Sequence, residues 1–294
     1  MIKETKHAYM IMAHHRFDVL AELLKDLDDE RNDIFLHVDI KSGVVPIEYL
    51  DGLVQNASLI WIDRMNVHWG GYSQIKCILN LLKIATSYSY HLYYHFMVGV
   101  EFPLKSQDYI YDFFDRNNGY EFIGFDNYDT KFKERVKYCH VFNEYARNNN
   151  FFQKILNKIR IAGVIVQKCL NVDISKKFNI AFKKGNANWS ITHELAEYIV
   201  ENEEKITEMY KYSFCGDEVF IHTLVYNSRF WKKVYDPADE YHSSMRIVTW
   251  ENAKNQFNLK DLKLLIDSNR LFARKIDGED AVLLIGEIRN NRKN

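Results

Sequence analysis

The spacing of apolar positions changes along this chain, and each change marks an element. His7 to Ala13 is a short, nearly unbroken apolar run, the pattern of a strand buried on both faces. Phe17, Leu20, Leu23, Leu24 and Leu27 then recur at helical spacing and predict a helix over 17–27. Asp33 to Val38 and Ser58 to Ile62 read as strands. Tyr72 to Ala85 reads as a helix entered through Gly70-Gly71, and Leu92 to Val98 as a fourth strand. This βαβ rhythm predicts an α/β fold with a mostly parallel central sheet flanked by helices. In such sheets binding groups gather at the carboxyl ends of the strands, and His14-His15 and Asp39 fall at two of those ends.

After Pro103 the pattern is less regular. Helices are predicted over 107–114, 194–203, 217–226 and 258–268, and strands over 120–125 and 186–192. Lys131 to Arg160 is polar and helical, broken at Asn148 to Asn150, a break that reads as a surface loop. No internal repeat or low-complexity linker divides the chain.

Composition narrows the class. With 294 residues, 47% hydrophobic and 27% charged, the chain is globular and long enough to bury a large core. A net charge of −1 exerts no overall pull towards nucleic acid. The aromatic content of 15% suits sugar handling as well as a large core, so it decides nothing alone. Cys77, Cys139, Cys169 and Cys215 lack CxxC spacing and read as reduced thiols, neither a zinc site nor a disulfide framework. No signal-peptide pattern and no apolar run of about 18 residues is seen, so the expected location is cytoplasmic.

Candidate chemistry centres on Asp217-Glu218, which follows the turn-like Ser213-Phe214-Cys215-Gly216, and on the late cations Arg270, Arg274 and Lys275. A carboxylate can take a proton from an attacking hydroxyl, and cations can hold a departing diphosphate. Taken singly, each has an ordinary explanation: acids at a helix start complement the dipole, and lone lysines are usually solvated. Phosphate-loop, dinucleotide, nucleophile-elbow and zinc-protease motifs are all missing. Asp39-Ile40-Lys41 carries lysine where a metal-binding DxD pair would place its second carboxylate, and the acidic cluster Asp26 to Glu30 reads as a solvated helix end. Side-chain cations, with no metal, are therefore expected to stabilise any leaving diphosphate.

Several segments together resemble one family. They are Met12-Ala13-His14-His15, His37-Val38-Asp39-Ile40-Lys41-Ser42, Val100-Glu101-Phe102-Pro103-Leu104-Lys105 and Gly185-Asn186-Ala187-Asn188-Trp189-Ser190. Gly216-Asp217-Glu218-Val219-Phe220, Met245-Arg246-Ile247-Val248-Thr249-Trp250 and Leu271-Phe272-Ala273-Arg274-Lys275-Ile276-Asp277 complete the series. In this order they resemble the core-2/I-branching β-1,6-N-acetylglucosaminyltransferase family, which includes peptide O-xylosyltransferases. Trp69-Gly70-Gly71-Tyr72-Ser73 is closer to the xylosyltransferase branch.

The resemblance implies a GT-A-like fold and inverting, metal-independent transfer of GlcNAc or xylose from a UDP-sugar to a glycan hydroxyl. It also implies one glycosyltransferase domain over 1–294, with a nucleotide-binding half near 1–125 and an acceptor half near 126–294. Residue by residue, Glu218 matches the catalytic base. Met12, His14 and Asp39 match the uridine site, and Arg274 and Lys275 the diphosphate site. Lys254 stands in for a second phosphate-binding arginine. Glu121, Arg135 and Trp250 match acceptor positions, with Asp217 beside them. The missing membrane anchor and paired cysteines suggest a bacterial-type enzyme of surface polysaccharide or glycoconjugate synthesis. Its acceptor would be a glycan or glycolipid, with peripheral association at the inner membrane face. A catalytically inactive nucleotide-sugar-binding or scaffold subunit of a polysaccharide-assembly complex is the alternative.

Overall fold

Residues 5–147 and 150–292 are described by a computed structural model. In chain order the first elements are β1 (His7–Ala13), α1 (Phe17–Leu27), β2 (Asn32–Val38), α2 (Ile47–Asp51), β3 (Ser58–Ile62) and α3 (Tyr72–Tyr88). β4 (Tyr93–Val98), β5 (Glu101–Pro103), α4 (Gln107–Arg116), α5 (Glu134–Lys137) and α6 (Phe151–Cys169) follow. Next come β6 (Trp189–Thr192), α7 (His193–Glu201), α8 (Glu203–Tyr210), α9 (Phe220–Tyr226) and α10 (Glu240–Ser244). The chain closes with β7 (Arg246–Val248), α11 (Leu262–Asp267), β8 (Phe272–Arg274) and α12 (Ala281–Asn291).

The main sheet has the order β3-β2-β1-β4-β6, parallel except for β6, which runs antiparallel to β4. The sheet is therefore mixed at one edge, and the fold is α/β. Side chains alternate across β1. Ala8 and Met10 join a core with Ile78 and Leu82 of α3 and Leu195 of α7. Tyr9, Ile11 and Ala13 join another with Leu20 and Leu24 of α1 and Leu284 and Ile285 of α12. Burial on both sides is why the strand reads as a continuous apolar run, each fully buried Leu or Ile contributing about 1.5–3 kcal/mol.

Strand order reverses direction at β1, with β2 and β3 on one side and β4 on the other, and there the sheet opens a crevice at its carboxyl edge. Backbone bonds tie its lips together: Asp39 N–H to the Ala13 carbonyl and Gly99 N–H to the Met12 carbonyl, both 2.9 Å.

A second sheet, β5-β8-β7, was not foreseen, because three-residue strands carry no readable alternation. Its register pairs Glu101 with Arg274 and Val248 with Arg274. β5 comes from the first half of the chain and its partners from the second, while β6 extends the first half's sheet, so both sheets draw on both halves.

Other expectations need correction. Residues 120–125 form no strand; Glu121, Phe122 and Phe125 each make one isolated bridge, to Val234, Ser190 and Gly185, three different partners that build no ladder. The stretch 131–160 is not one helix but short turns, α5, and then α6, which continues to Cys169. Asn148 and Asn149 lie outside the described residues, and Asn150 caps α6 by accepting from Phe152 N–H. Predicted helices 217–226 and 258–268 each begin as a single 3₁₀ turn. Helix α12 was missed although Ala281, Leu284, Ile285 and Ile288 carry helical spacing. All four cysteines are free thiols.

Candidate active site

The crevice at the switch point is a cavity of about 450 Å³ lined by Met12, His14, Asp39, Gln74 and Arg274 among others. A contiguous lobe of about 290 Å³ adds His15 and Lys275, and the two lobes share His14, Trp69, Val98, Arg147 and Arg274. Asp39 follows β2 directly and caps the next turn: Lys41 N–H donates to its Oδ1 at 2.8 Å and Val67 N–H to its Oδ2 at 3.3 Å. Lys41 Nζ lies 3.4 Å from the same carboxylate, so the lysine at the second DxD position neutralises the first. Burial, then neighbouring His15, pulls the His14 pKa down, which favours a neutral imidazole.

Arg274 is held from below by a directional chain of buried polar groups. Arg246 and Glu101, both 0% exposed, form an ion pair at 2.9 Å. The other Glu101 oxygen accepts from Asn188 Nδ2 at 2.5 Å, and Asn188 Oδ1 accepts from Arg274 Nη1. Arg246 also donates to the carbonyls of Ser244 at 2.6 Å and Trp189 at 3.0 Å. Burial lowers the Arg274 pKa while Glu101, Asp217 and Glu218 oppose that shift. Its Nε is buried without a hydrogen-bond partner among the described residues, a donor left over for a ligand. Trp250, 48% exposed, offers its ring to the same guanidinium at 5.4 Å. Lys275 reaches Asp277 at 2.6 Å, and Asp277 also meets His15 at 3.1 Å.

The acidic pair adjoins this floor. Gln74, on the cavity wall, donates to Asp217 Oδ2 at 3.2 Å. Burial first, and Glu218 second, pushes the Asp217 carboxyl up to about 6. Glu218 does not line the main lobe itself; its side chain is 37% exposed and its Oε2 accepts from Arg135 Nη1 at 2.5 Å. Its Oε1 makes no hydrogen bond among the described residues. Beside it, Lys184 pairs with Asp126 at 3.2 Å and Asp129 at 3.0 Å. Burial and Asp126 raise the Glu240 carboxyl of this cluster to about 7.

Two close backbone approaches set the pair in place. Gly70, at φ +76, lies against Phe214 and Cys215; an added Cβ would come within 2.7 Å of the Phe214 ring. Gly185 N–H donates to the Glu218 carbonyl at 3.0 Å, and a Cβ there would sit 1.8 Å from the Gly124 oxygen.

The structure thus brings Met12, His14, Asp39, Arg274 and Lys275 to one cleft, with Asp217, Glu218, Arg135 and Trp250 at its border. Three expected residues lie elsewhere. Lys254 lines neither lobe, because its ammonium is bound by Asp261. Glu121 is fully buried and lines neither lobe; Thr192 N–H and Oγ1–H donate to its two oxygens at 2.9 and 2.6 Å. Arg270 is turned towards Asp239, 3.9 Å away. Arg147, by contrast, lines both lobes and stacks on Trp69 at 4.1 Å, although its polar, motif-free surroundings gave no signal. Glu101 and Arg246 did leave one: charged residues beginning short apolar strand segments.

The Bos taurus beta-1,3-galactosyl-O-glycosyl-glycoprotein beta-1,6-N-acetylglucosaminyltransferase is 21% identical over 302 residues, covering 92% of this chain. The match takes in 65% of that relative, so the chain spans just under two-thirds of its length. Among solved structures, mouse xyloside xylosyltransferase 1 in its apo form is similar at TM-score 0.41 and 11% identity, over 92% of this chain and 97% of that one. S. aureus TarS is similar at TM-score 0.28 and 12% identity, over 40% of this chain and 21% of that one. The model of the Core-2/I-Branching enzyme family matches residues 7–265, most of the sequence, and the protein belongs to that family.

Proposed function

We propose that the protein is an inverting glycosyltransferase that moves GlcNAc or xylose from a UDP-sugar to a hydroxyl of a glycan or glycolipid acceptor. The observation that carries this reading is the Gln74–Asp217 hydrogen bond at 3.2 Å, which joins the cation-floored cavity directly to the Asp217-Glu218 pair. A nucleotide seated between Met12, His14 and Asp39 would direct its diphosphate towards Arg274, Lys275 and Arg147. Arg147 takes the part expected of Lys254, since it lines both lobes beside Arg274, whereas Lys41 on the same wall is paired with Asp39.

In this mechanism the acceptor oxygen attacks the anomeric carbon from the face opposite the diphosphate. The new C–O bond forms as the bond to the β-phosphate oxygen breaks, and configuration inverts. Glu218 takes the hydroxyl proton on its open Oε1, while Arg135 holds Oε2. Arg274 and Lys275 neutralise charge developing on the leaving UDP. Trp250 stacks on the acceptor sugar. The lysine pairing of Asp39 supports a role for side-chain cations in place of a metal, and a bacterial glycoconjugate pathway fits an acceptor of this class.

Glu218→Gln tests the assignment. Transfer should fall by about 10²–10⁴, the usual contribution of a positioned base, while UDP-sugar affinity by calorimetry holds. A variant with near-normal turnover would remove Glu218 as the base. Wild-type protein that binds UDP-sugar but transfers to no acceptor would mark it as a binding or scaffold subunit.

A further inference from the structure

Helix α6 (Phe151–Cys169) runs for 19 residues without one buried residue. Its inner face is held by polar contacts. Gln167 spans the Cys139 backbone, donating to its carbonyl at 2.9 Å and accepting from its N–H at 2.8 Å. Arg160 meets His140 at 3.1 Å and lies over the Phe214 ring at 4.6 Å. The apolar side is left outward. Phe151 and Phe152 are 79% and 64% exposed, and Ile155, Ile159 and Val166 continue the same stripe at steps of three, four and seven residues. Lys154 and Lys158 border it, neither in an ion pair among the described residues.

Charge identifies what this face meets. Between residues 147 and 172 the sequence has five cations and no acid; Arg147 lines the cleft, Arg160 faces inward and Lys168 pairs with Glu134 at 2.7 Å, which leaves Lys154 and Lys158 at the outward border. A broad apolar stripe edged with lysine is the pattern of a helix lying in a lipid headgroup layer, its rings in the acyl boundary and its ammonium groups on anionic phosphates. No helix of the described residues is long and apolar enough to cross a membrane. Self-pairing about a two-fold axis would set the lysine borders against each other, which disfavours a second copy as the occupant. We propose that α6 docks the protein on an anionic lipid surface through Phe151, Phe152, Ile155, Ile159 and Val166, with Lys154 and Lys158 on the headgroups. Arg147, four residues before the helix, lines the cleft, so docking sets the cleft mouth beside the bilayer. The inference stands independently of the donor and acceptor chemistry proposed above.

Vesicle co-sedimentation of the full chain tests it, using phosphatidylcholine alone or with about a third phosphatidylglycerol. The wild type should pellet with the anionic vesicles only, and less at high salt. Each basic residue near an anionic surface contributes roughly fivefold to partitioning, so Lys154→Gln/Lys158→Gln should lower it by about 25-fold. Ile155→Glu/Ile159→Glu should abolish it, with melting temperature and UDP affinity unchanged in both variants. Wild-type protein that stays in the supernatant, or that binds neutral vesicles equally, overturns the proposal. So does a solution dimer that Ile155→Glu/Ile159→Glu dissociates without any vesicle binding, which would make the face a self-association surface.

Discussion

The buried chain Arg246–Glu101–Asn188–Arg274 makes a sharp prediction, because its hydrogen bonds run in one direction. Glu101 accepts at both oxygens, from Arg246 Nε and from Asn188 Nδ2, and that fixes Asn188 Oδ1 as the acceptor for Arg274. In Glu101→Gln one oxygen becomes an NH₂ group. If it faces Asn188, two donors meet. If Asn188 turns over to accept, its own NH₂ then faces the Arg274 guanidinium. Every arrangement leaves a buried donor unpaired and Arg246 without its counter-charge. Removing one partner of a buried pair costs about 3–5 kcal/mol. At roughly 2 °C per kcal/mol for a chain of this size, the melting temperature should drop by about 6–10 °C. Arg274 also loses its fixed orientation. One charge-assisted phosphate contact of about 1.5–3 kcal/mol corresponds to roughly 10–100-fold weaker UDP binding, while uridine should bind as before. Differential scanning calorimetry and titration calorimetry with UDP and uridine measure both. A variant within about 2 °C of wild type and with unchanged UDP affinity would refute the directional chain. Equal weakening for uridine and UDP would show general damage to the cavity instead of loss of Arg274.

Lys275→Ala should weaken UDP and UDP-sugar binding by roughly tenfold or more with little change in uridine binding, and with little change in melting temperature because the lysine is 40% exposed. Glu121 is buried with its carboxyl raised to about 7, so its protonated form is favoured by the fold. That stabilisation is complete below about pH 4.5 and is lost as pH rises through about 7. Glu121→Gln should therefore flatten the fall in stability between these values by as much as about 3 kcal/mol, read as urea midpoints across the pH series. A pH profile parallel to wild type would contradict the buried placement. Transfer should persist in excess EDTA if Arg274, Lys275 and Arg147 carry the leaving group, and loss on chelation with recovery on adding manganese would require a divalent ion.

The elements of the main sheet were legible in the sequence because their signals are local. β1 is buried on both faces and shows it as a run; α1 and α3 cover the sheet and show it as helical spacing. His14 and Asp39 could be placed at the cleft because parallel strands end where α/β sheets bind ligands. The resemblance then selected Glu218, Arg274 and Lys275 from many ordinary charged residues. The choice of partner in the folded chain left no such trace. Lys254 went to Asp261 and Glu121 to Thr192 because each found a nearer partner in the folded chain, which residue type and spacing do not encode. The second sheet, the relay from Arg246 to Arg274 and the entry of Arg147 into the cleft depend on register between strands and loops far apart in sequence. Local pattern fixes which face of an element is apolar; only tertiary packing decides which polar group each buried charge meets, since that choice is made by distance and desolvation in the assembled fold.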